Sequence, residues 1–314
     1  MYILGIETSC DETSVAVVRD GVEILSNLIA SQVDIHALTG GVVPEVAARK
    51  HVERLSVLLE EALHQAHLGY SDIDLVAVTN RPGLVGALMV GVSAGKALAY
   101  ALGKPIVAVH HLEGHIASNF LPQPDLQFPF VCLIVSGGHT DLHLVEGHGR
   151  RRRLGSTRDD AAGEAFDKGA RLLGLGYPGG PLIDRAAKGG NPQAVAFPRA
   201  WLEEGSYDFS FSGLKTALLR YVQGAGEALR LADTAASFQE AIVQVLVGKT
   251  LRAAEEYGVP RIAVCGGVAA NSRLKEVFQQ EAERRGYQLV VPPPVLCTDN
   301  AAMIAAAGYF QYIT

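Results

Sequence analysis

Cysteine is scarce in this chain, and what there is does not pair. Cys10, Cys132, Cys265 and Cys297 are the four in 314 residues, and none stands in a C-x-x-C spacing. That argues against a disulfide scaffold or a cysteine-ligated zinc knuckle and predicts reduced thiols, three of them in or beside apolar runs. A surplus of positive charge is missing as well. With 27 Lys and Arg against 33 Asp and Glu the net charge is −6, so the surface as a whole is not built to neutralise a phosphate backbone. Met1-Tyr2-Ile3-Leu4-Gly5 lacks the basic region and apolar stretch of an export signal. The one long apolar stretch, Leu84 to Leu102, contains Lys96 and is rich in Gly and Ala. It is expected to be a helix buried in the core and not a membrane span. Low-complexity tracts are absent, and 48% apolar residues suffice for a substantial core.

What is present is an alternating pattern that occurs twice. Strands are expected at 2–6, 14–18 and 23–29, then a helix over 43–67, a strand at 75–79, a helix over 84–102 and a strand at 106–109. The series restarts with strands at 130–135, 141–146 and 152–156. Helices follow at 161–173, 182–187, 213–222 and 232–257, then a strand at 261–265, a helix at 272–285, a strand at 289–291 and a final helix over 300–312. The duplication predicts an α/β fold of two lobes facing each other across a central cleft, with ligands at the carboxyl ends of the strands. The lobes are expected at 1–124 and 125–314, divided near Pro122 and Pro124, with the final helix free to pack back on the first lobe.

Each half opens on a strand running into a turn of small polar residues: Gly5-Ile6-Glu7-Thr8-Ser9-Cys10-Asp11, and Val135-Ser136-Gly137-Gly138-His139-Thr140. Backbone N–H groups approach phosphate oxygens most closely where no bulky Cβ intervenes, so both turns are candidate phosphate cradles. Gly266-Gly267-Val268-Ala269-Ala270-Asn271 follows a buried strand and opens a helix, a setting that favours anions; Asn271 would serve as a contact or only as a helix N-cap. The rigid Gly176-Tyr177-Pro178-Gly179-Gly180-Pro181 loop could wall a ribose or adenine pocket. Asp167, and more weakly Asp184, are candidates for ribose hydroxyls. Asp11 and Glu12 beside the first turn could orient a nucleophile or polarise an amine. Arg150 to Arg153 is the one dense basic run, read either as a solvated hairpin or as a site for a phosphate-rich partner.

Between the halves lies His110-His111-Leu112-Glu113-Gly114-His115, to be read with the distant Cys297-Thr298-Asp299-Asn300. On a helix His111 and His115 stand at i and i+4 and leave from one face. Two imidazoles and a carboxylate from elsewhere would make a three-ligand metal site with open positions. The competing interpretation is two unrelated, partly buried histidines. A zinc peptidase of the H-E-x-x-H kind fits poorly, because Glu113 follows His111 by two residues and points about 180° away from the histidine face.

Eight segments in order carry a resemblance. They are Gly5–Thr13, Gly40-Gly41-Val42-Val43-Pro44-Glu45, His110–His115, Val135–Thr140, Ala162-Gly163-Glu164-Ala165-Phe166-Asp167-Lys168, Phe209-Ser210-Phe211-Ser212-Gly213-Leu214-Lys215-Thr216, Gly266–Asn271 and Cys297–Asn300. Together they closely resemble the tRNA adenosine threonylcarbamoyltransferase family of the bacterial TsaD type, once described as glycoprotein endopeptidases. The resemblance spans almost the whole chain. It implies the duplicated fold of actin, Hsp70 ATPases and sugar kinases. It implies metal ligation by His111, His115 and Asp299, with iron (Fe2+) or zinc. It implies contacts to threonylcarbamoyl-AMP from Ile134, Val135, Ser136, Gly137, Gly138, Asp167, Gly180, Asp184 and Asn271. The family transfers a threonylcarbamoyl group to N6 of the adenosine 3′ of the anticodon in tRNAs reading codons that begin with A. It works with a metal-free paralogous subunit and a small ATPase subunit, in the cytoplasm, without a membrane. Two departures stand out: Arg81 occupies a position before Pro82 where the family usually has Gly, and the sequence stops at Thr314, short of an extension many members carry.

On that basis the metal is expected to act as Lewis acid and template, with Asp11 orienting or deprotonating the attacking amine. Mg2+ could accompany a bound nucleotide. Three alternatives stay open at this point: a zinc metalloendopeptidase, a non-catalytic nucleotide-binding scaffold, and an ATPase or small-molecule kinase on the same fold.

Overall fold

The computed structural model describes residues 1–203 and 205–314. Strands β1 (Tyr2–Glu7), β2 (Glu12–Arg19) and β3 (Glu23–Ser31) form an antiparallel meander. A short helix α1 (Val33–Ala37) and a long α2 (Pro44–Gln65) follow, with Pro44 at the first helical position, where its missing N–H costs nothing. Then β4 (Leu75–Arg81) pairs parallel with β1, α3 (Val85–Leu102) crosses back, and β5 (Ile106–His110) takes the edge. The order is β3-β2-β1-β4-β5, and β5 runs straight into α4 (His111–Ala117).

Alternation along the strands gives this sheet two apolar faces. Leu4, Ile6, Val15, Val17, Val76 and Val78 face Leu55, Ala62 and Leu63 of α2 and Ala99 of α3. Ile3, Ala16, Val18, Leu75, Ala77 and Val109 form the other face. The α3 helix departs from the sequence expectation, because only one side of it is buried. Ala87, Gly91, Gly95 and Ala99 form the covered side, while Val85, Met89 and Tyr100 are 75%, 63% and 91% exposed. The small residues fit close against the structure, Gly91 against Thr8 and Gly95 against Val78, and the large ones are left outward. Among the described residues α3 is also the one helix long and apolar enough to cross a membrane by length and composition.

The second sheet repeats the first. Strands β6 (Phe130–Val135), β7 (Thr140–Gly147) and β8 (Arg150–Ser156) form an antiparallel meander. Helices α5 (Ala162–Leu172), α6 (Gly179–Ala186), α7 (Ser212–Ala225) and α8 (Leu231–Glu256) follow. Strand β9 (Arg261–Cys265) pairs parallel with β6, and α9 (Ser272–Arg285) leads to β10 (Gln288–Val290), parallel to β9. The order β8-β7-β6-β9-β10 reproduces the first sheet strand for strand, with the same change from antiparallel to parallel pairing at its centre.

The chain then returns through α10 (Pro294–Cys297) to α11 (Ala301–Ile313). It divides into a unit of Met1–Leu126 with Pro292–Thr314 and a unit of Gln127–Val291. Residues 292–314 thus group with the first unit. The reason is the second apolar face of the first sheet. Ala301 to Ala307 cover it, and this run of five alanines with Met303 and Ile304 is almost entirely buried. Contact is close enough that a Cβ on Gly5 would strike Ala301 O, and one on Gly308 would strike Ala77.

Candidate metal centre and nucleotide-binding turns

The packing of α11 places the first candidate site. Asn300 caps α11, its side-chain oxygen accepting the Met303 N–H at 3.0 Å, and Asp299 sits just before it. The Ser14 hydroxyl accepts the Ala301 N–H and ties this helix start to β2. Gly114 in α4 admits Ile304 and Met303 of α11, so the two helices touch. The imidazoles of His111 and His115 leave one face of α4 and meet edge to face with centroids 4.7 Å apart. Asp299 Oδ1 lies 3.4 Å from His111 Nε2 and 3.3 Å from His115 Nε2. One ligand atom from each of the three lies within 4.8 Å of the others, close enough for a single ion.

The donor set fits a transition metal better than it fits a closed polar network. His115 is 0% exposed, yet neither of its ring nitrogens makes a hydrogen bond of acceptable geometry. A buried imidazole left in that state costs free energy that a metal bond would recover. Burial alone would lower the pKa of His111, but the Asp299 and Glu7 carboxylates outweigh it and hold the ring well above the usual histidine value. Burial and the adjacent His111 charge push His115 the other way. Burial also opposes ionisation of Asp299, and the two histidines overcome it, holding the carboxyl well below the usual carboxylate range.

Glu7, at the end of β1, escaped the sequence reading. It is 0% exposed, and its Oε2 lies 3.2 Å from His111 Nδ1. A lone carboxylate closing a buried apolar strand was the available signal. Asp11 and Glu12 occupy the turn and the start of β2. The Ser31 hydroxyl donates to Glu12 at 3.1 Å. Burial, then the Asp11 and Asp299 carboxylates, push the Glu12 carboxyl up to about 9. The same neighbours and burial raise the Cys10 thiol, which makes it a poor nucleophile. Thr8 is buried, and its hydroxyl donates to Ala87 O of α3, so it anchors the turn instead of offering a donor. Arg81 is exposed at the end of β4 and pairs in register with His110.

The second unit carries the other candidates. Ile134 and Val135 are fully buried strand residues, paired with Asp141 and Thr140 of β7, so their side chains belong to the core. Ser136, Gly137 and Gly138 form a tight turn closed by Ser136 N–H donating to His139 O at 2.8 Å. Around Gly137 and Gly138 a Cβ would meet nothing within 4 Å, so their backbone is open to a ligand. The start of α5 presses on this turn, where a Cβ on Gly163 would lie 2.5 Å from Ser136 O. Gly266, at φ 93°, packs its backbone against Val135 from the other side. Asp167 Oδ1 accepts the Gly179 N–H at 2.6 Å and holds the start of α6 against α5; Gly180 beside it is open. Asp184 accepts from the Ser272 hydroxyl at 2.7 Å and from its N–H at 3.3 Å. Asn271 is the N-cap of α9, its oxygen taking the Leu274 N–H and its amide donating to Gln239. The candidates thus form one connected set of turns and helix starts within this unit. Of the four arginines of β8, Arg152 lies over the Tyr257 ring at 5.0 Å.

Comparison with known proteins agrees with this geometry. The model of the tRNA N6-adenosine threonylcarbamoyltransferase family, TsaD, matches residues 23–306. The chain belongs to that family. Among its relatives, the tRNA N6-adenosine threonylcarbamoyltransferase of Symbiobacterium thermophilum is 59% identical over 312 residues, 99% of this chain and 91% of that one. That of Desulfitobacterium hafniense is 57% identical over 314 residues, 99% and 92% of the two chains. Two solved structures share the fold at low identity. Component A of the (R)-2-hydroxyglutaryl-CoA dehydratase of Acidaminococcus fermentans has a TM-score of 0.58 at 15% identity, covering 100% of both chains. The T. kodakarensis HypF has a TM-score of 0.65 at 14% identity, covering 99% of this chain and 47% of its own. The fold is the duplicated α/β fold of the actin and sugar-kinase class, and the activity is transfer of threonylcarbamoyl to N6 of adenosine in tRNA. Peptide hydrolysis would need a carboxylate base on the histidine face, and Glu113 is not in the group that His111, His115 and Asp299 form.

Proposed function

We propose that His111, His115 and Asp299 hold one iron (Fe2+) or zinc ion, and that this ion serves the transfer of threonylcarbamoyl from threonylcarbamoyl-AMP to tRNA. The observation that carries it is the buried His115 ring, without a hydrogen bond, 3.3 Å from Asp299. When bound, the ion supplies a Lewis acid for the donor's carbonyl or carboxylate oxygen. The chemistry is displacement at the carbamoyl carbon: its bond to the phosphate oxygen breaks, AMP leaves with the electron pair, and a bond to N6 forms.

Asp11 is the group we assign to orient N6 and take its proton. Glu12, whose carboxyl is pushed up to about 9 by burial and by Asp11 and Asp299, is the group placed to donate a hydrogen bond to charge developing on the donor. Backbone N–H groups of Ser136, Gly137 and Gly138 are the proposed phosphate contacts, with Asp167, Gly180, Asp184 and Asn271 toward the nucleoside and Ile134 and Val135 acting through their backbone. Mg2+ could accompany the nucleotide there.

A metal-free paralogous subunit and a small ATPase subunit are the proposed partners, and the cytoplasm the proposed compartment. The outward side of α3, with Val85, Met89 and Tyr100, supports a protein partner, because large apolar groups there have no cover in this chain. Metal analysis of the purified protein and of His115→Ala tests the reading. One ion per chain in the first and none in the folded variant is expected, and equal metal content would overturn it.

A further inference from the structure

We propose that Glu7 is a positioning residue. It fixes the tautomer and direction of the His111 ring and thereby sets the affinity of His111, His115 and Asp299 for a metal ion. The inference rests on the metal reading above and adds a residue to it.

Three donors converge on this carboxylate. Ser9 N–H donates to Oε1 at 2.5 Å, the Thr79 hydroxyl donates to Oε2 at 2.5 Å, and His111 Nδ1 lies 3.2 Å from the same Oε2. The Ser9 hydroxyl stands 3.2 Å from that nitrogen too. Among the described residues no lysine or arginine pairs with Glu7, although it is fully buried. An anion at that depth needs a compensating partner, and the histidine ring is the one in contact with it.

The geometry selects one tautomer. A carboxylate oxygen only accepts, so the nitrogen facing it must carry the hydrogen. Nδ1–H then points to Glu7, and Nε2, 3.4 Å from Asp299 Oδ1, is the nitrogen that gives up its proton when an ion binds. The opposite tautomer would set the Nδ1 lone pair against an oxygen anion and a hydrogen where a metal must bind. An anion behind a ligating imidazole also makes the ring a stronger donor. The Ser9 N–H holds the other oxygen, Oε1, so the carboxylate keeps its direction toward His111.

The test is titration of metal-free protein with Co2+, followed by absorption, on wild type, Glu7→Gln and Thr79→Val. Folding of each metal-free variant is checked by circular dichroism. Glu7→Gln is expected to bind Co2+ about 10–100-fold more weakly with shifted absorption bands. Thr79→Val removes a bond to Glu7 but leaves the carboxylate on His111, so it is expected to stay within about threefold of wild type. Wild-type affinity and spectrum in Glu7→Gln, or equal losses in both variants, would overturn the proposal. If Glu7→Gln does not fold, nitrogen-15 NMR of the zinc-loaded wild type decides. His111 is expected with Nδ1 protonated and Nε2 on the metal, and the reverse assignment would overturn the role. Equal Co2+ binding by wild type and His115→Ala would instead remove the metal reading itself.

Discussion

Gly114 of α4 lies so close to Ile304 of α11 that a Cβ would fall 2.7 Å from Ile304 Cδ1. This contact joins the helix bearing both histidines to the helix that Asp299 precedes. Ile304 is itself fully buried, so it has little room to retreat. Gly114→Ala is expected to cost about 1–3 kcal/mol of stability by overpacking. It should also weaken zinc binding, read by competition with a chromophoric chelator. Gly114→Val should weaken it further. Unchanged zinc affinity in both would mean that the helix contact does not set the ligand geometry.

Metal binding should stabilise the protein by mass action. At a free ion concentration 100 times the dissociation constant the gain is about 2.7 kcal/mol. Calorimetric melting with and without zinc should show that gain in wild type and none in His111→Ala or Asp299→Ala. An equal rise in all three would place the ion elsewhere.

Glu12 gives a pH dependence of defined sign. Its carboxyl is held at about 9 in the folded chain against an ordinary value of 4.5. The folded state therefore binds more protons between those values, and stability is present below the lower one and lost as pH rises to the upper one. Glu12→Gln removes that loss. Melting of the metal-free protein should show the variant gaining several degrees at pH 8 and little at pH 4.5, while transfer activity falls. A constant difference across pH would refute the linkage.

Asp184 holds the first residue of α9 through Ser272. Asp184→Ala should cost about 1 kcal/mol, the size of a lost helix cap. Because Asn271 adjoins that helix start, KM for threonylcarbamoyl-AMP should rise more than kcat falls. Steady-state kinetics with a fixed tRNA concentration would check the split.

Much of this was legible in the sequence because it is local. The apolar strands β1 and β2, the helix expected over 43–67 and the i, i+4 spacing of His111 and His115 all follow from neighbouring residues. The strand series of each half also reads directly, and the two sheets share one strand order. What failed to read is set at long range. Leu, Val, Met and Tyr on α3 look like core residues, and only the small stripe of Ala87, Gly91, Gly95 and Ala99 reveals which side packs. Glu7 looked like part of a phosphate turn because its partners Thr79 and His111 arrive from β4 and α4. Asn271 offered two roles, and the structure gives it the N-cap geometry while leaving a ligand contact to experiment.

Threonylcarbamoyl transfer itself tests the metal centre most directly. Purified chain, with the proposed partner subunits added, is given threonylcarbamoyl-AMP and an unmodified tRNA that reads codons beginning with A, and the digested nucleosides are weighed by mass spectrometry. Threonylcarbamoyladenosine should form with wild type carrying iron or zinc. It should fall to background with folded, metal-free His111→Ala and with Asp299→Ala. Full modification by either metal-free variant would contradict the claim that His111, His115 and Asp299 form the working metal centre.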